Sequence, residues 1–130
     1  MFVDASAIVA IITLERDHEM LARRLDAVGN ATTSAIAVYE AVLAVARKEG
    51  LRVAQAKTAV ERFCNRAGIE VAPITADMAG AALDAFLKYG KGQGHPARLN
   101  LGDCFAYAMA KQHGVPLLYK GDDFARTDLA

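Results

Sequence analysis

The chain has 130 residues, 54% of them hydrophobic, and its 15 basic and 15 acidic residues cancel. That length fits one domain over residues 1–130, and the apolar content excludes a disordered chain. A net charge of zero excludes bulk attraction to nucleic acid or membrane as the basis of function, so an anionic partner must be gripped by a local patch.

Met1–Asp4 reads as a first strand, and Ser6 is placed to cap a helix over Ala7–Leu14. The run Ala5–Leu14 is nearly all apolar, but no basic residue precedes it and it is roughly half a membrane span in length. It therefore reads as buried structure, and a cytoplasmic protein with no membrane partner is expected. A second helix over Asp17–Val28 stops at Gly29-Asn30, and Thr32-Thr33 forms a very short strand. Helices over Ser34–Glu49 and Val53–Arg66 end at Gly50 and Gly68. Glu70–Ile74 is a strand whose Pro73 disfavours a fully paired central place. A helix over Ala76–Tyr89 leads into a glycine-rich loop, Gly90–Asn100. The last helix, Leu101–His113, stops at Gly114, and Leu117–Lys120 is a final strand turned by Gly121. Cys64 and Cys104 fall in apolar helical patterns and read as core thiols. Strands separated by helices predict an α/β fold with a mostly parallel central sheet covered on both faces, a three-layer α/β/α sandwich. In such sheets ligands bind beyond the carboxyl ends of the strands.

The chemistry lies in the carboxylates. Asp4, Glu40 and Asp103 each sit in a strongly apolar stretch, where an unpaired carboxylate is costly to desolvate. Glu40 is the single charge between Ala35 and Ala46, a helix apolar on every side and so expected to be buried, with Ile36 and Leu43 on its stripe. A buried salt bridge is the plain alternative there. Asp103 follows Asn100 at the spacing of a capping box, a role that can coexist with a functional one. Asp4 and the Asp122-Asp123 pair directly follow predicted strands and so project into the ligand-binding region, although turn aspartates are also common. Ser6 serves either as a helix cap or as a hydroxyl donor to Asp4. Carboxylates converging on one cleft repel one another unless cations neutralise them, and oxygen-only ligation suits Mg²⁺ or Mn²⁺. No paired Cys or His spacing points to zinc. Such a cluster hydrolyses phosphodiesters without a protein nucleophile. Between Ala85 and Gly102 there is no acidic residue, while Lys88, Lys91, His95 and Arg98 occur. With Lys120 and Arg126 beside the acidic turn, Lys91, His95 and Arg98 form a candidate patch for RNA phosphates, against the plain reading of a solvated loop.

Phe2-Val3-Asp4-Ala5-Ser6-Ala7, the mid-helix Glu40, Leu99-Asn100-Leu101-Gly102-Asp103-Cys104-Phe105 and Leu117-Leu118-Tyr119-Lys120-Gly121-Asp122-Asp123-Phe124 together resemble PIN-domain proteins. The likeness is greatest to VapC-type toxins of bacterial toxin–antitoxin pairs, and it runs over essentially the whole chain. Each motif is weak alone, while the four in order are specific. The resemblance implies a parallel-sheet α/β/α sandwich and a Mg²⁺- or Mn²⁺-dependent endoribonuclease. It further implies a homodimer and a small VapB-like antitoxin that silences the active-site groove. By the same resemblance Asp4, Asp103 and Glu40 are metal ligands, Ser6 orients Asp4, and the fourth acidic position falls on Asp122 or Asp123. Water activated at the cluster would attack in line, leaving a 5′-phosphate and a 3′-hydroxyl. A haloacid-dehalogenase-like phosphatase would need a second Asp where Ser6 stands. A receiver-like domain would need an acidic pair near the first strand and an acceptor Asp after a central one. A non-catalytic dimeric module binding an ion or a partner remains the reading from outside enzymology.

Overall fold

The computed structural model describes residues 1–130. In chain order the elements are β1 (Phe2–Val3), α1 (Ala5–Ile12), α2 (His18–Asp26), β2 (Ala31–Ser34), α3 (Ala35–Glu49), α4 (Val53–Arg66), β3 (Ile69–Ala72), α5 (Ala76–Tyr89), α6 (Leu101–His113) and β4 (Leu117–Leu118). The four strands form one parallel sheet in the order β3-β2-β1-β4. Successive strand residues point to opposite faces, which splits the core into two layers. Val3 and Leu118 pack with α1 to α4, while Phe2 and Leu117 pack with α5 and α6. This is the α/β/α sandwich expected from the alternation of strands and helices. No helix is long and apolar enough to cross a membrane.

The chain winds from β1 outward to β2 and β3, then returns to place β4 on the other side of β1. Connections therefore leave the two sides of β1 in opposite directions, which opens a crevice beyond its carboxyl end. Asp4 follows β1 there, and the Lys120-Gly121-Asp122 turn follows β4. Gly121 takes φ +98°, a left-handed conformation that a residue with a Cβ adopts only under strain. Phe124, almost wholly buried, anchors the turn to the core, and Tyr107 and Lys111 on α6 fasten the following segment through Asp128.

Three local expectations change. Helix α1 begins at Ala5 and is capped by Asp4, whose carboxylate accepts from the Ser6 backbone N–H at 3.0 Å; Ser6 is inside the helix. The strand ahead is only two residues long, so the extended Asp4 (φ −74°, ψ 156°) is already the cap. Strand β3 ends at Ala72, with Pro73 outside it, and occupies the sheet edge that a proline favours. Helix α3 is not buried all round. Its buried stripe is Ala37, Ala41, Val42, Val45 and Ala46, while Tyr39 and Leu43 are exposed. The layer below α3 covers only one of its faces, and Glu40 lies half-buried at the margin of that face.

Candidate active site

Asp4, Ser6, Glu40 and Asp103 open onto one groove of about 870 Å³, together with Lys120 and Gly121. Asp4 is 5% exposed, held by the same two residues that begin α1. The Ser6 hydroxyl donates to Asp4 Oδ2 at 2.5 Å and accepts from the Lys120 backbone N–H at 3.0 Å. One hydroxyl thus ties the end of β1 to the end of β4, which settles the two roles open for Ser6 in favour of a donor to Asp4. Burial pushes the Asp4 carboxyl above its usual range, the Ser6 hydrogen bonds oppose this, and the charge of Asp123 adds to it.

Asp103 sits in the first turn of α6 and is 9% exposed. Asn100 Oδ1 accepts from the Asp103 N–H at 2.9 Å, and Asp103 Oδ2 accepts from the Asn100 N–H at 3.0 Å. This capping box consumes one carboxylate oxygen, leaving Oδ1 without a protein donor. Burial raises the Asp103 carboxyl to about 7, against the Asn100 N–H and with the charges of Asp4, Asp123 and Glu40 adding. Glu40 reaches the same place from α3. Its carboxylate rests on Gly102, where a Cβ would overlap both oxygens, so Glu40 takes this place only because residue 102 has no side chain. Burial, then the charge of Asp4, raises Glu40 too.

Asp122 and Asp123 line a second cleft of about 400 Å³ with Lys91, Arg98, Asn100, Arg126 and Asp103. Asp103 stands between the two clefts. Of the acidic pair, Asp123 is the one whose charge bears on Asp4 and Asp103. The predicted basic patch divides: Lys91 and Arg98 line the second cleft, and Lys120 lines the first. His95 lines neither cleft; its Nδ1 accepts from the Ala97 N–H at 3.0 Å and its ring meets Tyr89 edge-on at 4.8 Å, bracing the loop. Sequence reasoning missed Glu15, Arg47 and Lys48, which also line the first groove, and the seat at Gly102. Arg47 and Lys48 resemble the ordinary cations of a last helical turn, and no local pattern marks Gly102 as the seat of a side chain 62 positions earlier.

None of Asp4, Glu40 and Asp103 forms an ion pair with a protein cation. This removes the buried salt bridge as the reason for Glu40. A set of carboxylate oxygens, each raising the others' affinity for protons, fits a hard divalent cation. No three acidic or other ligand side chains are drawn together into a finished cage. Mg²⁺ accepts that arrangement, since it takes one or two carboxylates and completes its shell with water.

The PIN-domain family model matches residues 1–129. The chain belongs to the PIN-domain family. This PIN domain is 42% identical, over an alignment of 139 residues, to a VapC ribonuclease of Rhizobium meliloti (strain 1021), covering 98% of each. It is 41% identical over 129 residues to ribonuclease VapC42 of Mycobacterium tuberculosis (strain ATCC 25618 / H37Rv), covering 99% of this chain and 96% of the relative. Among solved structures, Mycobacterium tuberculosis VapC20, described as a sarcin–ricin loop cleaving toxin, superposes with a TM-score of 0.73. That match covers 95% of this chain and 92% of VapC20 at 18% identity, and it shows the PIN fold.

Proposed function

We propose that this PIN-domain protein is a VapC-type endoribonuclease that hydrolyses RNA phosphodiesters with Mg²⁺ or Mn²⁺, the toxin of a pair restrained by a VapB-like antitoxin. The observation that carries this reading is the groove itself, onto which Asp4, Glu40 and Asp103 all open with none of the three in an ion pair. Buried carboxylates left unpaired are destabilising and are kept where a cation or a reaction requires them. Residues 1–130 would act as one PIN unit, in the cytoplasm and as a homodimer, as the resemblance to VapC-type toxins implies.

Asp4 and Asp103 would be the main ligands of the ion, with Glu40 completing the cluster directly or through water and Asp123 as the fourth acidic group. A divalent cation held there would neutralise the cluster and supply an acidified water for hydrolysis of the phosphodiester, a reaction that leaves a 5′-phosphate and a 3′-hydroxyl. The chain's own contribution is placement. Ser6 fixes one oxygen of Asp4, Asn100 fixes one of Asp103, and Gly102 lets the Glu40 carboxylate approach. Lys91, Arg98 and Arg126 would receive the RNA backbone in the cleft beyond Asp103.

The test is to incubate the purified protein, free of antitoxin, with total bacterial RNA in Mg²⁺, in Mn²⁺ and in EDTA, beside Asp4→Asn and Asp103→Asn. Discrete cleavage that needs the ion and vanishes in both variants is expected. Cleavage by the variants at the wild-type rate, or none by the folded wild type, would leave a non-catalytic ion- or partner-binding module.

A further inference from the structure

Glu15 lies just past the end of α1, and its two carboxylate oxygens hold two lysines that come from distant parts of the chain. Oε1 pairs with Lys48 in the last turn of α3, and Oε2 pairs with Lys120 after β4 at 2.7 Å. All three residues line the same groove as Asp4, Glu40 and Asp103, and so does Arg47, which enters no ion pair. Fastening α1 to its neighbours would need one lysine. The second leaves positive charge in surplus on the wall of a groove whose floor is acidic. Each ammonium carries three donors and spends one on Glu15. The Lys48 and Lys120 side chains remain 39% and 30% exposed, against 21% for Glu15, and each ammonium makes no other hydrogen bond to the protein. Lys120 is also tied to the reaction centre, because its backbone N–H bonds the Ser6 hydroxyl that holds Asp4.

A polyanion approaching Asp4, Glu40 and Asp103 is repelled until it meets fixed positive charge. Lysine side chains free in solution pay rotamer entropy on gripping a phosphate, and a shared carboxylate has already fixed these two. We propose that Glu15 is a positioning residue that holds Lys48 and Lys120 as a two-pronged phosphate clamp, gripping the RNA backbone on the side of the cluster opposite Lys91, Arg98 and Arg126. The proposal rests on the ribonuclease reading for its substrate. RNA would then cross the site from the clamp, over Asp103, into the second cleft.

The experiment measures equilibrium binding of a fluorescein-labelled single-stranded RNA 20-mer of mixed sequence by anisotropy, over a series of KCl concentrations. EDTA is present, so cleavage cannot deplete the probe. The proteins are wild type, Lys48→Ala, Glu15→Gln, the double variant and Arg66→Ala. Arg66 ends α4 just before β3 begins, at the amino edge of the sheet and away from the groove, and serves as the control. Thermal melts confirm that each variant is folded, and if Glu15→Gln is not, Lys48→Ala decides alone. Loss of one phosphate contact lowers the salt slope by about 0.7 for a single strand. Lys48→Ala and Glu15→Gln are each expected to weaken binding several-fold with about that fall in slope. Their effects should be less than additive in the double variant, because both act through one ion pair. Lys48→Ala behaving like Arg66→Ala overturns the clamp. Tighter binding by Glu15→Gln overturns the positioning role, since the carboxylate would then only compete with phosphate. If the slopes fall as expected while wild type cleaves no RNA in Mg²⁺ or Mn²⁺, the ribonuclease reading fails and the clamp stands.

Discussion

A methyl group at position 102 would occupy the space of the Glu40 carboxylate, so Gly102→Ala must swing Glu40 away from Asp4 and Asp103. Displacement of a positioned group by about an ångström costs roughly 10²-fold in rate, and a loss of that order in RNA cleavage is expected. Alanine favours a helix interior over glycine, so the melting temperature should not fall below that of a Glu40→Ala control. Asp103→Asn separates stability from activity in the opposite sense. The amide oxygen still accepts from the Asn100 N–H, while a charge disfavoured by burial and by three neighbouring carboxylates is gone. Calorimetry in EDTA at pH 7.5 should show the variant melting about 3–6 °C above wild type, with cleavage abolished. At this scale the sequence was informative where a carboxylate stood in apolar surroundings, as Asp4, Glu40 and Asp103 do. It was silent on Glu15, whose partners lie 33 and 105 residues away and look like any other surface lysines.

The head of α6 carries two duties at once, since its capping box both satisfies helix N–H groups and fixes Asp103. Asn100→Ala removes the acceptor for the Asp103 N–H and should cost about 1 kcal/mol, read as a lower urea midpoint with an unchanged slope. Both members of this box stand three apart in the sequence, which is why the helix start and its cap were legible there. Helix α1 was misjudged at the same kind of boundary, because Asp4 and Ser6 are both good caps and only the two-residue length of β1 decides between them. The apolar run on α3 showed that the helix is hydrophobic but not which face is covered. Tyr39 and Leu43 turn out exposed beside Val53 and Val71, lining an apolar cleft between α3 and α4.

Over the whole molecule, the raised carboxylates make metal-free stability depend on pH. Asp103 titrates near 7 in the folded protein, against 3.8 when unperturbed, so between those values the folded state keeps a proton that the unfolded chain has lost. Asp4 and Glu40 shift in the same direction. The stabilisation is complete below about 3.8 and disappears as pH rises through 7, so in EDTA the protein should melt higher at pH 5 than at pH 7.5. Mg²⁺ or Mn²⁺ should raise the melting temperature at pH 7.5 and narrow that gap, because an ion binding only the folded state stabilises it. Asp4→Asn should lose most of the ion's effect, and scanning calorimetry at both pH values reads all three outcomes. The parallel sheet and its flanking layers were legible from the alternation of elements, whereas the strand order, and with it the crevice beside β1, depends on pairings that no local pattern encodes.

Those pairings also bear on how the protein is made. Strand β1 is bonded on one side to residues about thirty positions later and on the other to Pro116 and Leu118, and Ser6 waits for the N–H of Lys120. A nascent chain therefore emerges from the ribosome with Asp4 long before the strand and hydroxyl partner that orient it. The groove can close only once residues 116–120 have joined the chain and left the exit tunnel, so Asp4 stays unoriented through the synthesis of every element from α1 to β4.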